Sequence, residues 1–199
     1  EEIFNKKSTI NKKIIWINGE KETGVTLMEM VNKMDAGRMY GVESCQITDE
    51  DNYTSLCKKI VKCAIDVSIK LIPEYIKGNL KGEEQNESEV TFADKILPET
   101  EKLSLDYDAK TFINFVRGMS EEPGGYLILN DLKLKILKAK ITNQNVNGPI
   151  GTLEINKSVF LKLKDASIEL LEVQLAGKKK MDGKSFANGS KHFNGVILK

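Results

Sequence analysis

The chain has 199 residues, 40% hydrophobic and 30% charged, with a formal net charge of +1. That length holds one large or two small domains, and that balance excludes a disordered or fibrous chain. No apolar run approaches the roughly 20 residues of a membrane-spanning helix, and the opening EEIFNKKS lacks the apolar core of a signal peptide, so a cytoplasmic protein without membrane association is expected.

The small net charge conceals a division. Up to Asp108 there are 15 basic and 21 acidic residues, a net of −6; from Ala109 onward there are 15 and 8, a net of +7. Such asymmetry fits a C-terminal part that meets a polyanion, and it also fits lysines that keep a small domain soluble. Three cysteines, Cys45, Cys57 and Cys63, include no C-x-x-C pair and the chain has one histidine, so reduced thiols are expected and neither a disulfide framework nor a metal site.

Along the chain, Ser8 or Thr9 can cap a helix through Ile10, Ile14 and Ile17, with Gly19 just past its end. Gly24 reads as a turn, Val25 to Met30 as a buried central strand, and the following loop delivers Asp35 in front of Ala36 and Gly37. A loop carboxylate before two small residues is placed as active-centre aspartates often are, although on the pattern alone most such aspartates only cap or solvate. Arg38 to Ile47 is expected as a second strand and TDEDN at 48–52 as an acidic helix start. The stripe Leu56, Ile60, Ala64, Val67 and Leu71 predicts a long amphipathic helix that Pro73 bends or ends. Gly78 to Glu89 reads as a solvated connection, and Thr91 to Leu97 as a segment that docks again before the domain boundary.

Asp108 can cap a helix whose face is Phe112, Phe115, Val116 and Met119, stopped by Pro123, Gly124 and Gly125. The period then changes to two. Leu132, Leu134 and Ile136 alternate with Lys133 and Lys135, and Leu161 and Leu163 with Lys162 and Lys164. With strands near Ile150 to Ile155 and Ile168 to Leu175, and turns at Asn130-Asp131, Asn147-Gly148 and Asp165-Ala166, a small barrel with inward aliphatics and outward lysines is expected. Lys133, Lys135, Lys138, Lys162, Lys164 and the run Lys178, Lys179, Lys180 are candidate contacts to nucleic-acid phosphates, with a solvated face as the other reading. Tyr126 and Phe160 apart, the barrel offers few stacking platforms, which favours backbone contact to a folded RNA over readout of a single strand.

Three stretches add a resemblance. NGEKETGVTLMEMVNKMDAG at 18–37, FINFVRGMSEEPGGYLILNDLKLKILKAK at 112–140 and LEVQLAGKKKMDGKSFANG at 171–189 are similar, in this order, to methionyl-tRNA formyltransferases. The resemblance implies a mixed α+β chain, a partial Rossmann-like formyltransferase α/β segment followed by a small OB-like β-barrel, divided into residues 1–102 and 103–199. It implies transfer of a formyl group from 10-formyltetrahydrofolate to the methionine amine of initiator methionyl-tRNA, with no metal, by a monomer. Asp35 matches the aspartate that in this family orients a histidine and helps remove the amine's proton. Arg38 stands where relatives commonly carry an acid. The family's Asn-x-His and Ser-Leu-Leu-Pro segments have no match, and the single histidine, His192, sits in the basic tail. The early half of the catalytic domain, with its folate site, is therefore expected outside these residues, and this polypeptide alone is expected to be inactive. Other readings are a non-enzymatic RNA-binding barrel with a formyltransferase remnant and a sugar-nucleotide formyltransferase.

Overall fold

A computed structural model describes residues 18–33, 35–89 and 97–199. These fall into two compact units, one holding residues 20–89 and the other 18–19 with 97–199. The expected helix through Ile10, Ile14 and Ile17 lies outside the described residues, as does most of the Thr91 to Leu97 segment, of which Leu97 is exposed.

In the first unit, β1 (Glu22–Met28) pairs antiparallel with β2 (Met39–Gln46), in register from Glu22 opposite Gln46 to Leu27 opposite Gly41. The strand expected to be central and buried is half-buried, and among the described residues it has one neighbour. Gly24 is no turn. It lies within β1 opposite Ser44, where a Cβ would fall 2.6 Å from the Glu43 carbonyl oxygen, so its smallness serves close strand approach.

Helix α1 (Tyr53–Ile76) lies across both strands. Asn52 begins it with a reciprocal cap: its side chain accepts from the Ser55 N–H at 3.0 Å, and the Ser55 hydroxyl accepts from the Asn52 N–H at 3.0 Å. Leu56, Ile60, Cys63 and Val67 form the buried face. Leu71 reaches β2 because Gly41 has no side chain; a Cβ there would stand 2.5 Å from the Leu71 Cδ1. Pro73 does not end the helix, which continues to Ile76.

Just before the cap, Asp51 is buried and accepts hydrogen bonds from the Thr48 N–H at 2.8 Å, the Thr48 hydroxyl at 2.9 Å and the Ser55 hydroxyl at 2.8 Å, with Lys59 as its ion partner. Burial would push this carboxyl up, but Lys59, Thr48 and Ser55 together outweigh it and hold Asp51 well below the usual carboxylate range. In acid the folded state thus binds fewer protons than the unfolded chain. The stabilisation is present above the unfolded value near 4 and is lost as pH falls from there through the depressed folded value. Asp51→Asn is expected to cost about 2 kcal/mol at pH 7 and progressively less below about pH 4. Urea unfolding at both pH values checks this; an equal loss at both would contradict it.

The second unit opens on a short 3-10 turn, Pro98–Glu101, after which Leu103 is buried and donates its N–H to the Tyr126 carbonyl at 2.9 Å. Helix α2 (Ala109–Met119) is capped by Asp108, which accepts from the Thr111 N–H at 2.8 Å, and Asp165 accepts from the Ala109 N–H at 2.9 Å. Phe112, Phe115, Val116 and Met119 are all buried, as their spacing predicts. The helix ends at Met119, ahead of Pro123 to Gly125, and Gly125 already begins a strand.

An antiparallel sheet follows: β3 (Gly125–Leu129), β4 (Leu132–Thr142), β5 (Leu153–Ile155), β6 (Val159–Lys162), β7 (Ser167–Leu175) and β8 (Met181–Asp182). The order is β3-β4-β7-β6-β5, with β8 paired to β7 and helix α3 (Gly183–Gly189) after it. Leu134, Ile136, Leu161, Leu163 and Ile168 point into one core with Phe112. In β4 the register shifts around Lys138, so Leu137 is buried outside that core and Lys138 and Lys140 turn outward.

The sheet is curled, and residues 195–199 join its two edges. On β5 the Leu153 N–H donates to the Val196 carbonyl at 2.8 Å and the Gly195 N–H to the Leu153 carbonyl at 2.7 Å. On β3 Ile128 and Lys199 exchange hydrogen bonds at 2.7 and 3.0 Å. Leu198 drops its side chain into the core between them.

Candidate functional site

Asp35 sits on the turn that leads from β1 toward β2, with backbone φ of 53°, a left-handed conformation that Asp tolerates better than most residues. The turn is tightly built. Gly37 is buried, and a Cβ on it would lie 1.9 Å from the Glu29 carbonyl oxygen, so only glycine fits. The Glu29 N–H donates to the Arg38 carbonyl at 3.1 Å and closes the loop.

The segment read from the sequence as a solvated connection turns out to strap this loop. Glu83 and Met39 exchange backbone hydrogen bonds at 2.8 and 2.9 Å, the Arg38 guanidinium donates to Glu84 at 2.7 Å, and Lys33 pairs with Glu87. Gln85 is central: its side-chain amide donates to the Asp35 carbonyl at 3.0 Å and to the Gly37 carbonyl at 2.6 Å. The strap uses polar tips on backbone carbonyls, which is why its composition resembles that of a loop in water. The hydrogen bond and charge of Glu84 raise the Arg38 pKa, and burial beside Glu29 raises that of Tyr40.

Replacing Gln85 by Ala leaves two carbonyls of a strained turn without this donor. The expected cost is about 1–2 kcal/mol, with faster hydrogen exchange at residues 35–38. Protection factors equal to those of the unaltered chain would show that the strap does not hold the turn.

Beside the loop, Leu27, Met28, Glu29, Met30, Tyr40 and Tyr75 line a recess of about 370 Å³. Of the thiols, Cys45 and Cys57 are half-buried and Cys63 is buried; burial and contact with Cys63 push Cys45 up to about 11. Among the described residues no group of three or more His, Cys, Asp or Glu side chains is placed to hold a metal ion. His192 lies in the second unit, on a 3-10 turn against the Phe193 ring.

The lysines of the second unit divide into two groups. Lys133 lies over the Tyr126 ring at 4.2 Å, and Lys135, opposite Tyr126 in register, donates to the Pro123 carbonyl at 2.7 Å. The Ala176 N–H donates to the Lys133 carbonyl at 2.8 Å, which sets the turn carrying Lys178, Lys179 and Lys180 beside them. Lys138 is opposite Glu172, which also pairs with Lys180 at 3.3 Å; Glu121 is 3.5 Å from the same ammonium. Lys133, Lys135, Lys178 and Lys179 form no ion pair among the described residues. Lys162 and Lys164 stand apart. Lys162 faces Ser167 whereas Lys135 faces Gln174, seven residues further along β7, or about 23 Å. Lys162 donates to Asn145 at 3.3 Å, and Lys164 neighbours Asp108. Alternation revealed all of these lysines but could not sort them by strand end.

Residues 9–72 match the family described as formyl transferase, and residues 95–191 match formyl transferase, C-terminal domain. The chain belongs to the formyltransferase family. Within that class its similarity runs to the methionyl-tRNA formyltransferases: the protein of that name from Lactobacillus johnsonii is 41% identical over 180 residues, 89% of this chain and 57% of its own length. The chain thus spans little more than half the length of such relatives. The mixed α/β fold with its curled antiparallel sheet is shared with solved structures, a sugar formyltransferase among them. HypX from Aquifex aeolicus, in complex with tetrahydrofolic acid, aligns with a TM-score of 0.67 at 16% identity over 97% of this chain and 34% of its own. WlaRD, a sugar 3N-formyl transferase, aligns with a TM-score of 0.67 at 21% identity over 88% and 62%.

Proposed function

We propose that this chain carries the later part of a methionyl-tRNA formyltransferase, an enzyme that moves a formyl group from 10-formyltetrahydrofolate to the methionine amine of initiator tRNA in the cytoplasm. The observation that carries the reading is Asp35, fixed at φ 53° by the Gln85 strap inside the stretch that matches the formyl transferase family. A carboxylate carried on a turn whose backbone is strapped in this way can orient a proton-bearing partner and accept a proton. Residues 103–199 are assigned as an OB-like module that grips tRNA through the lysine-rich end of its sheet, the chain acting as a monomer. The described residues do not by themselves fit a folate: Asp35 and the open recess beside it do not enclose a pteridine.

The test is a chimera in which residues 18–199 replace the matched region of the Lactobacillus johnsonii relative. Asp35→Asn is expected to lower formyl transfer by at least about 100-fold while tRNA binding stays intact. Undiminished turnover in that variant would end the assignment. The 199-residue chain on its own is expected to transfer no formyl group, its one histidine lying in the other unit from Asp35.

A further inference from the structure

Helix α1 is apolar on two faces. Leu56, Ile60, Cys63 and Val67 are spent on the β1–β2 hairpin. On the opposite side Val61, Ile65, Ile69, Ile72 and Ile76 recur at intervals of four, four, three and four, and they are 56, 53, 72, 41 and 77% exposed. The stripe runs about 22 Å along the helix and offers an apolar patch on the order of 500 Å², well beyond scattered surface aliphatics. β-Branched residues do not favour helix, so five of them in line outside the core stabilise nothing within this unit. A helix apolar on both sides is the inner layer of a larger fold. Small or short residues, Ala64 and Ser68, border the stripe on one flank, which permits a neighbouring element to approach closely; Lys62 and Asp66 border it on the other, while Lys70 turns toward β2 and stands 4.0 Å from Glu43. No described helix is long and apolar enough to cross a membrane.

Two observations name the occupant. Four of the five stripe residues lie within the formyl transferase match at 9–72, so the stripe belongs to that domain. The Lactobacillus johnsonii relative leaves 43% of its length outside the 57% that this chain matches. We propose that the Val61–Ile76 stripe is the docking face for the formyltransferase polypeptide that the relatives carry outside the matched region, which places α1 between two layers. This rests on the formyltransferase reading. The partner surface is aliphatic.

The test mixes the full 199-residue chain with the unmatched part of the Lactobacillus johnsonii protein, produced separately, and follows assembly by light scattering and titration. A one-to-one complex is expected, and Ile65→Lys with Ile69→Lys is expected to weaken it at least 100-fold while helical circular dichroism is kept. The milder pair Ile65→Ala and Ile69→Ala is expected to weaken it about tenfold without adding charge. Absence of a complex, a complex indifferent to both pairs, or a stripe-dependent dimer of this chain instead would overturn the proposal. Transfer by the chimera is scored separately: an active chimera with no docking defeats this proposal alone, and docking with an inactive chimera defeats the catalytic reading alone.

Discussion

Reversing Lys133, Lys135, Lys178, Lys179 and Lys180 to glutamate is expected to reduce binding of initiator methionyl-tRNA at least 100-fold. These five ammonium groups gather where the start of β4 meets the end of β7, and four of them form no ion pair among the described residues. Each cation that meets a phosphate releases counterions, so five contacts make affinity fall on the order of 500-fold between 50 and 200 mM salt. The reversed variant should lose that slope together with its affinity. Reversing Lys162 and Lys164, about 23 Å away along the sheet, is expected to cost about tenfold or less. Equal losses from both ends would mean that the tRNA runs the length of the sheet; no loss from the first cluster would remove the nucleic-acid face altogether.

The largest effect on stability is expected from Phe112→Ala. Phe112 is fully buried on α2 and packs into the core that the curled sheet encloses. Its truncation removes a large apolar group and leaves a cavity that surrounding strands, tied on both sides, cannot close, at a cost of about 3–5 kcal/mol. That is a large share of the ~5–15 kcal/mol by which domains exceed their unfolded states. Chemical denaturation followed through hydrogen exchange of β4 and β7 amides measures it, with Ile141→Ala, half exposed on the same sheet, as the control expected to change stability by less than about 0.5 kcal/mol. A loss below about 1 kcal/mol at Phe112 would mean that α2 is not part of the core.

Much of this architecture is legible in the residues. Leu56, Ile60 and Val67 of the first stripe and all of Phe112, Phe115, Val116 and Met119 become the buried faces of α1 and α2, with Ala64 and Leu71 half-buried, and the Leu-Lys alternation becomes β4 and β6 except that Leu132 is exposed. Even the bulge is written there, since Ile136 and Leu137 break the alternation with two successive aliphatics. What stays hidden is held by long-range hydrogen bonds to backbone. The Gln85 amide finds carbonyls fifty residues away, and GVILK at 195–199 reads as a tail although both sheet edges depend on it. Gly24 misleads for a related reason: a glycine that makes room for a neighbouring strand looks locally like one that turns the chain. Asp35 stands out through resemblance, while the Gln85 bond to its backbone carbonyl comes from a strap with no motif. The exposed stripe of α1 is plain in the sequence only once the opposite face is known to be occupied.

The seam at residues 195–199 has a consequence for how the molecule is made. Its partners, Ile128, Gly151 and Leu153, are synthesised more than forty residues earlier, so on the ribosome the nascent barrel waits with both outer strands bare. Bare strand edges invite pairing with another chain, and contacts this distant in sequence close slowly. A ribosome stalled just short of Gly195 would release a polypeptide that holds nearly every core side chain and yet recruits its neighbours into aggregates; fluorescence of a stalled-chain series should show sticky intermediates that vanish once Leu198 and Lys199 have left the exit tunnel.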